Sequence, residues 1–357
     1  MDANHSTGNN FAPNHAAHKW QPFMNVLEQI DSSVRLRQHS QPVDLPALKN
    51  TATPDLLLVN PLAGGGHAAS ALPKLQTFAT QRGWNLDVCV TSSKEDFSIK
   101  ARHAAEAGRK RIFVLGGDGT LQILVNAVAD FPEIVLGVIP AGGGNDFATS
   151  LGLPPDTVQA AALLLDGEVA QLDLARVRTS DGVERLYTGG GGVGLDAEAA
   201  RHASGSYRTI RGRTRYILAA IHALLSFRPF RVNITHNGEA PNPLQANVLL
   251  AGILNTPSYG AGLYLAPEAK TDDGILELMI VEDLTILQIL RVLPAFATQG
   301  RLNTKRLRRL SVTHVRIETE SPLWFHGDGE LLGMTPVEVF VVPRAVRILR
   351  PSQRQNS

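Results

Sequence analysis

The fold is decided by the stretch Val114-Leu115-Gly116-Gly117-Asp118-Gly119-Thr120-Leu121, in which a short apolar run ends on glycines, a carboxylate and a hydroxyl. Apolar residues recur at Leu121, Leu124, Val125 and Val128, and this spacing predicts a helix with one apolar face. The stretch therefore predicts a strand, a tight turn and a helix. Glycines let a backbone approach a ligand closely, and N–H groups at a helix start attract phosphate, although a purely structural turn also fits.

Two further glycine-rich turns, at residues 60–66 and 140–146, also follow predicted strands. Strand-like runs alternate with helical patterns from residue 54 to about 165, which predicts a parallel α/β layer. Ligands of such sheets bind beyond the carboxyl ends of the strands, so the three turns predict a phosphate-binding edge. In the third turn, Asn145 and Asp146 are expected to cap the next helix or to bind ligand hydroxyls.

The turns fit neither of two common nucleotide motifs. A Walker A loop carries a lysine after its last glycine, whereas His67 follows Gly66. A dinucleotide fingerprint needs Gly-x-Gly-x-x-Gly and an acidic residue after the second strand, where Val90-Thr91 stands. A NAD(P)-dependent oxidoreductase is therefore disfavoured.

Beyond residue 165, short strand-like runs follow one another and predict a mostly β domain. One strand is expected at 184–192, and helices are expected at 207–227 and 286–299. Two acidic turns lie in this half. The turn at 325–330 contains Asp-Gly, which is also typical of a plain hairpin, and the carboxylates and carbonyls at 267–274 suit a hard cation such as Mg²⁺.

Composition narrows the classes of function. The chain has 34 basic and 33 acidic residues and a net charge of +1, which argues against a nucleic-acid-binding protein held by overall charge. Its one cysteine, Cys89, cannot form an internal disulfide and fits a reducing compartment. No apolar run approaches the ~20 residues that a spanning helix needs, and the first residues do not resemble a secretory signal. We therefore expect a cytoplasmic protein with no transmembrane segment.

Taken in chain order, these motifs resemble the diacylglycerol kinase catalytic-domain family, which includes bacterial soluble diacylglycerol kinases, related bacterial lipid kinases, and sphingosine and ceramide kinases. The resemblance covers about residues 55–351. The motifs that carry it are Asn60-Pro61…Gly64, Gly116-Gly117-Asp118-Gly119-Thr120, Pro140-Ala141-Gly142…Asn145-Asp146-Phe147-Ala148, Leu265-Ala266-Pro267…Asp273-Gly274 and Asp328-Gly329-Glu330.

The resemblance implies an α/β plus mostly-β fold. An N-terminal α/β nucleotide-binding domain, Rossmann-like and similar to NAD kinase, would face a C-terminal β-sandwich domain across an active-site cleft. We expect a disordered N-terminal extension at 1–53, the α/β ATP-binding domain at 54–165 and the β-sandwich lipid-kinase domain at 166–343. A tail at 344–357 could return to the first domain.

The resemblance also implies transfer of the γ-phosphoryl group of ATP to a lipid hydroxyl, with Mg²⁺ as cofactor. Asp118 would organise Mg²⁺-ATP and Glu330 would act as the general base, so both are candidate catalytic residues. Asp273, with the carbonyls of Lys270 and Ile275, would form a structural Mg²⁺ site. The candidate nucleotide-binding residues belong to the glycine turns or to the strand ends beside them: Asn60, Gly64, Thr91, Gly116, Gly117, Asp118, Gly119, Thr120, Gly143, Asn145 and Asp146.

Two positions depart from the family pattern. Gly143 stands where the family usually has threonine, and Ala63 stands where serine is common. One lost uncharged hydrogen bond is worth about 0.5–1.5 kcal/mol, so we expect altered nucleotide affinity or preference rather than loss of activity.

A lipid kinase must reach its substrate at a membrane surface. Seven arginines and no acidic residue lie from Arg201 to Arg231, beside the apolar residues of 216–225, and a second basic cluster lies at 301–309. These segments predict peripheral contact with anionic lipid, although a helix with a solvated basic edge also fits. A homodimer is left open.

The sequence thus predicts an ATP-dependent lipid kinase acting on diacylglycerol or a related lipid. Sphingoid-base, ceramide and phosphatidylglycerol kinases are the alternatives. A NAD kinase or sugar-phosphate kinase is disfavoured by the order of the motifs. A non-catalytic lipid or nucleotide sensor is disfavoured because Asp118, Asp273 and Glu330 are all present.

Overall fold

The structure is a computed structural model that describes residues 53–207, 210, 213–238, 243–260, 262–285, 287–289 and 306–352. Residues 1–52 of the predicted N-terminal extension at 1–53 lie outside these ranges, as does most of the predicted helix at 286–299.

The first lobe is a parallel sheet covered by helices, as the alternating pattern predicts. Its strands lie in the order β2-β1-β3-β4, and every adjacent pair is parallel. The central strands β1 and β3 are buried along their whole length, which explains their continuous apolar runs. The elements are β1 Asp55–Val59, α1 His67–Arg82, β2 Leu86–Val90, α2 Lys94–Glu106, β3 Arg111–Gly116, α3 Asp118–Ala127, β4 Val135–Pro140, α4 Asp146–Ser150 and α5 Thr157–Leu165.

The second lobe is mostly antiparallel β-structure around its own apolar core. It has the β-sandwich-like character that the sequence predicts. Two helices interrupt the strands and pack against each other. The elements are β5 Glu168–Thr179, β6 Glu184–Tyr187, β7 Gly190–Gly194, α6 Leu195–Ser204, α7 Arg213–Ser226, β8 Phe230–His236, β9 Leu244–Leu254, β10 Leu276–Glu282, β11 Leu307–Val312, β12 His314–Thr319, β13 Trp324–Gly327, β14 Glu330–Met334 and β15 Val337–Arg350.

Two long strands join the lobes. β5 and β15 pair in antiparallel fashion over nearly their whole length, and β15 also pairs in parallel with β4 at Arg347 and Ile348. Along β5, residues up to Leu174 pack in the core of the first lobe, whereas Ala175 and Val177 pack in the core of the second. Hydrogen-bonded strands rather than a loose linker therefore carry the chain from one lobe to the other.

Three predicted boundaries are wrong. The expected helix at 207–227 begins at Arg213. The sequence pattern missed α6 because its buried face consists of three alanines and His202 and carries no large apolar residue. The expected strand at 184–192 is two strands, because Thr188 and Gly189 turn out of the ladder to bind the carboxylate of Asp328. Helix α3 begins at Asp118, one turn before the apolar pattern starts.

Candidate active site

The three glycine turns meet at the carboxyl edge of the parallel sheet. Asn60 follows β1, and its Nδ2 donates to Oγ1 of Thr120 in the first turn of α3 at 3.0 Å. Thr91 follows β2 and donates from its buried hydroxyl to the carbonyl of Val59 at 2.9 Å. These predicted nucleotide-binding residues therefore lie around one edge, which is where an open α/β sheet binds its ligand.

The turns touch through glycine backbones. A Cβ on Gly64 would lie 2.3 Å from the carbonyl oxygen of Ala141, and a Cβ on Gly116 would lie 2.7 Å from Cβ of Thr120. A Cβ on Gly117 would lie 2.8 Å from Cα of Gly142. Such distances leave no room for a side chain, so these glycines are needed for packing.

Replacing Gly117 by alanine is expected to destabilise the first lobe by about 1–3 kcal/mol, because the new methyl group must push apart two packed backbone turns. Urea denaturation would measure the change in the free energy of unfolding. Gly252→Ala is the matched control, since its new Cβ would have only ordinary contacts at 3.8 and 4.0 Å. Equal destabilisation by both changes would contradict the proposed close packing.

Asp118 is the first residue of α3, but its carboxylate caps a different helix. Its two oxygens accept hydrogen bonds from the N–H groups of Asp146 at 3.2 Å and Phe147 at 3.1 Å, at the start of α4. Burial raises the pKa of Asp118 to about 7, as do the carboxylates of Asp146 and Asp328, while the two N–H donors act to lower it. A nearby cation would offset this cost of ionisation.

Asn145 does not cap α4, so that part of the expectation is wrong. It occupies the N-cap position in the left-handed region with φ 61°, and its side chain makes no cap hydrogen bond. Instead, Oδ1 accepts from the N–H of Gly142 at 2.8 Å, and Nδ2 donates to the Gly142 carbonyl at 3.1 Å. Gly143 lies half-buried inside this closed turn. Asp118 supplies the cap in place of Asn145.

Asp146 links the two lobes through residues that the sequence did not single out. Its Oδ1 accepts from Oγ of Ser258 and from the N–H of Gly262, both at 2.9 Å. Both donors lie in the loop after β9 of the second lobe, more than 100 positions away in the chain. No local pattern marks Ser258 or Gly262, so only the folded chain reveals them.

The turn between β13 and β14 brings the second acidic motif to the same cleft. Asp328 has φ 51°, and its carboxylate accepts from the N–H groups of Thr188, Gly189 and Gly190 at 2.7, 2.8 and 3.3 Å. Burial raises the pKa of Asp328, and these donors oppose the shift. Asp328 is thus held by backbone donors and fixes the hairpin that ends in Glu330.

Glu330 reaches across to the first lobe. A Cβ on Gly119 would lie 3.3 Å from Oε1 of Glu330, so this carboxylate oxygen lies beside the backbone of the glycine turn at 116–120. The other oxygen, Oε2, is 2.6 Å from Nζ of Lys94, the first residue of α2. Buried Gln122 of α3 reinforces the junction by donating from Nε2 to the carbonyl of Gly327 at 3.1 Å. The predicted phosphate turn and the predicted base therefore face each other.

A buried polar cluster lies behind this hairpin. The Tyr259 hydroxyl is hydrogen-bonded to Nε2 of His326 and donates to Asp196 at 3.2 Å, and the same His326 nitrogen is 3.0 Å from Asp196. Burial raises the pKa of Tyr259 well above its usual value. The cluster joins β13, α6 and the loop after β9, whose Ser258 and Gly262 donate hydrogen bonds to Asp146. The sequence analysis missed it because its members are widely separated in the chain.

The predicted metal loop at 267–274 lies on the second lobe beside β5. Oδ1 of Asp273 accepts from the N–H of Ile275 at 3.1 Å, and Oδ2 of Asp173 accepts from the N–H of Gly274 at 2.6 Å. Burial raises the pKa of Asp173, and the carboxylates of Asp273 and Asp272 raise it further.

A cation would offset this repulsion, so the carboxylates at the loop fit a metal. No group of three or more His, Cys, Asp or Glu side chains in the described part of the chain is arranged to hold a metal ion. The predicted donor set is different, because it combines the Asp273 carboxylate with the carbonyls of Lys270 and Ile275. That Mg²⁺ site stays a prediction.

Glycine turns on an α/β lobe that face a carboxylate from a β lobe are the arrangement expected of a two-lobe phosphotransferase. Residues 54–177 match the diacylglycerol kinase catalytic domain, and residues 191–350 match the YegS C-terminal NAD kinase beta sandwich-like domain. The chain belongs to the diacylglycerol kinase family of lipid kinases.

Two relatives agree with this assignment, and a solved structure shares the fold. A diacylglycerol kinase of Mycobacterium tuberculosis (strain CDC 1551 / Oshkosh) is 30% identical over 82% of this chain and 94% of its own length. A diacylglycerol kinase of Bacillus subtilis (strain 168) is 28% identical over 84% and 96%. A crystal structure of a diacylglycerol kinase from Bacillus anthracis str. Sterne has the same fold, with a TM-score of 0.64 and 22% identity over 84% of this chain and 98% of that one.

Proposed function

We propose that this lipid kinase phosphorylates the hydroxyl of diacylglycerol or a related membrane lipid, with Glu330 as the general base. The observation that carries the proposal is the position of Glu330 Oε1 beside Gly119, in the turn that belongs to the predicted phosphate site. A base at this position would lie next to the γ-phosphoryl group of bound ATP and could accept the proton of the attacking hydroxyl.

The first lobe would bind ATP through the edge formed by Asn60, Thr91 and the glycine turns. Backbone N–H groups of the turn at 116–120 and the start of α3 would point at phosphate oxygens. Bound Mg²⁺ would supply charge neutralisation at the phosphates. The carboxylates of Asp118 and Asp146 fit that role, because Asp118 is already difficult to ionise without a nearby positive charge.

Incubation with labelled ATP and a panel of lipids tests the proposal. The panel contains diacylglycerol, monoacylglycerol, a sphingoid base, ceramide and phosphatidylglycerol, each with and without Mg²⁺. We expect Mg²⁺-dependent label in diacylglycerol or one of its relatives. A parallel reaction offers NAD as the acceptor in place of lipid. Label in NAD alone would support the disfavoured NAD kinase alternative, and ATP binding without any labelled product would support the sensor.

We also propose that the enzyme is cytoplasmic and meets the membrane through α7. Among the described residues, no helix is both long and apolar enough to cross a bilayer. Helix α7 nevertheless exposes Ile217, Ile221 and Leu225 at 58%, 49% and 60%, while Ala219 and Ala223 on its other face are fully buried. An exposed apolar face within a segment rich in arginine suits an anionic lipid surface.

Leu225→Ser is expected to weaken binding to phosphatidylglycerol-containing vesicles by about threefold or more, because apolar burial in the bilayer is lost. Vesicle sedimentation would measure the binding, and turnover of a short-chain, water-soluble lipid should stay near the wild-type value. Leu163→Ser on α5 is the control, since Leu163 is also exposed, at 41%, but lies on the first lobe. Equal loss from both variants would argue against α7 as the contact.

A further inference from the structure

One ion pair crosses the cleft and joins the proposed base to the first lobe. Nζ of Lys94 lies 2.6 Å from Oε2 of Glu330, although the two residues are 236 positions apart in the chain. The Lys94 side chain is 59% exposed and that of Glu330 is 35% exposed, so solvent reaches both groups. Exposed ion pairs of this kind are weak, and a more highly charged ligand can replace one partner.

The backbone of Lys94 is fixed even though its side chain is exposed. Lys94 opens α2 directly after the end of β2, and Oγ of the preceding Ser93 accepts the N–H of Asp96 at 3.1 Å as the helix cap. The neighbouring cation, Lys100, pairs with a residue of the same helix, because its Nζ lies 2.8 Å from Oδ2 of Asp96. Lys94 is therefore the cation of α2 that reaches into the cleft.

The glycine turns carry no cation of their own. Residues 60–66, 116–120 and 140–146 contain no lysine or arginine. Phosphoryl transfer nevertheless needs positive charge beside the γ-phosphoryl oxygens, and a lysine is a common source of it. Glu330 lies beside Gly119 and Lys94 lies beside Glu330, so the Lys94 ammonium is close to the turn that would bind phosphate under the proposed function.

We propose that Lys94 binds the γ-phosphoryl group of ATP, exchanging the Glu330 carboxylate for phosphate oxygens when nucleotide enters. This role deepens the proposed function and rests on it. Without nucleotide, the Lys94 ammonium forms an ion pair with the Glu330 carboxylate. With nucleotide bound, the released carboxylate becomes available to the lipid hydroxyl, so the base is freed only when a phosphoryl donor is present.

The transfer then balances without a further reactant. The lipid hydroxyl oxygen forms a bond to the γ-phosphorus, and the bond from that phosphorus to the β–γ bridging oxygen breaks. ADP leaves with the electron pair, and the hydroxyl proton passes to Glu330. Lys94 stabilises the negative charge on the non-bridging oxygens of the group in transfer.

Lys94→Met removes the charge while keeping an unbranched side chain. We expect ATP affinity to fall about tenfold and kcat to fall by about 10²-fold, while ADP affinity and the KM for lipid stay within about twofold. Lys94→Arg should restore part of the ATP affinity. Titration calorimetry with ATP and ADP, together with steady-state kinetics, would measure these values. Arg102→Met, in the same helix and paired with Glu106 and Asp130, is the control and should change none of them.

The ratio of ATP affinity to ADP affinity is the measurement that tests the proposal. An unchanged ratio of ATP to ADP affinity in Lys94→Met would overturn the proposal and leave Lys94 as a surface ion pair. A wild-type enzyme that labels no lipid in the panel would instead refute the proposed acceptor, and the nucleotide titrations would still decide the role of Lys94. Weaker ATP binding by Glu330→Gln would also count against the exchange of partners, because loss of that carboxylate should leave Lys94 available to phosphate.

Discussion

Glu330→Gln is expected to lower kcat for lipid phosphorylation by about 10²–10⁴-fold, which is the usual contribution of a general base. The amide keeps the size of the side chain but cannot accept the hydroxyl proton. ATP affinity should be equal to that of the wild type or slightly higher, because the carboxylate that pairs with Lys94 at 2.6 Å is gone. Single-turnover kinetics with the preferred lipid, and calorimetric titration with ATP, would measure the two effects separately.

Glu320→Gln provides the matched control for this change. Glu320 lies on the second lobe, its side chain is 73% exposed, and its Oε1 is 3.9 Å from Nη1 of Arg231. It should keep wild-type kcat. A Glu330→Gln enzyme that also turned over at the full rate would show that another group takes the proton.

Asp118→Asn is expected to lower kcat/KM for ATP by about 10²-fold or more, because a preorganised charge beside the proposed phosphate site is lost. The asparagine side chain can accept a hydrogen bond through one oxygen only, so one of the two N–H groups at the start of α4 loses its partner. Steady-state kinetics at varied ATP concentration would measure the change. Asp130→Asn is the control, because Asp130 is an exposed partner of Arg102 on the surface of the first lobe.

The same variant should alter the pH dependence of stability in the absence of nucleotide and Mg²⁺. The pKa of Asp118 is raised from 3.8 to about 7, so the folded protein holds a proton that the unfolded chain has already released. The free energy of unfolding therefore falls as pH rises between about 4 and 7, and this contribution becomes constant above the folded pKa.

Urea denaturation at pH 5, 6 and 7.5 in EDTA would test this dependence. We expect a decrease in wild-type stability over this interval that exceeds the decrease in Asp118→Asn by at least ~1 kcal/mol. The raised pKa of Asp328 also lowers stability as pH rises, and it does so in both proteins. The contribution of Asp118 is therefore the difference between the two decreases in the free energy of unfolding. Parallel curves for the two proteins would show that Asp118 ionises normally.

Local sequence patterns were sufficient to predict many of the strands, helices and turns of this protein. The glycine stretch after β3 predicts a strand, a turn and a helix, because each depends on residues within a few positions of one another. Helix α5 and strand β8 likewise end where their apolar periodicity ends. The order of the motifs also predicts the lipid kinase family, since each motif is a continuous piece of chain.

Tertiary structure decided which groups work together. Asp118 lies at the start of its own helix, yet it caps α4 because the two turns pack through Gly117 and Gly142. Such a contact cannot be derived from helix periodicity, because it depends on the distance between neighbouring strand ends.

The contacts between the lobes cannot be predicted from any local sequence pattern. Ser258 and Gly262 reach Asp146, and Lys94 reaches Glu330, across separations of 112, 116 and 236 residues. The sequence by itself determined the glycine turns at the sheet edge, the acidic hairpin and the lipid kinase family, because each depends on a continuous piece of chain. Only the tertiary structure, in which β5 pairs with β15 and Asp146 and Gln122 bridge the lobes, decided that Lys94 meets the proposed base.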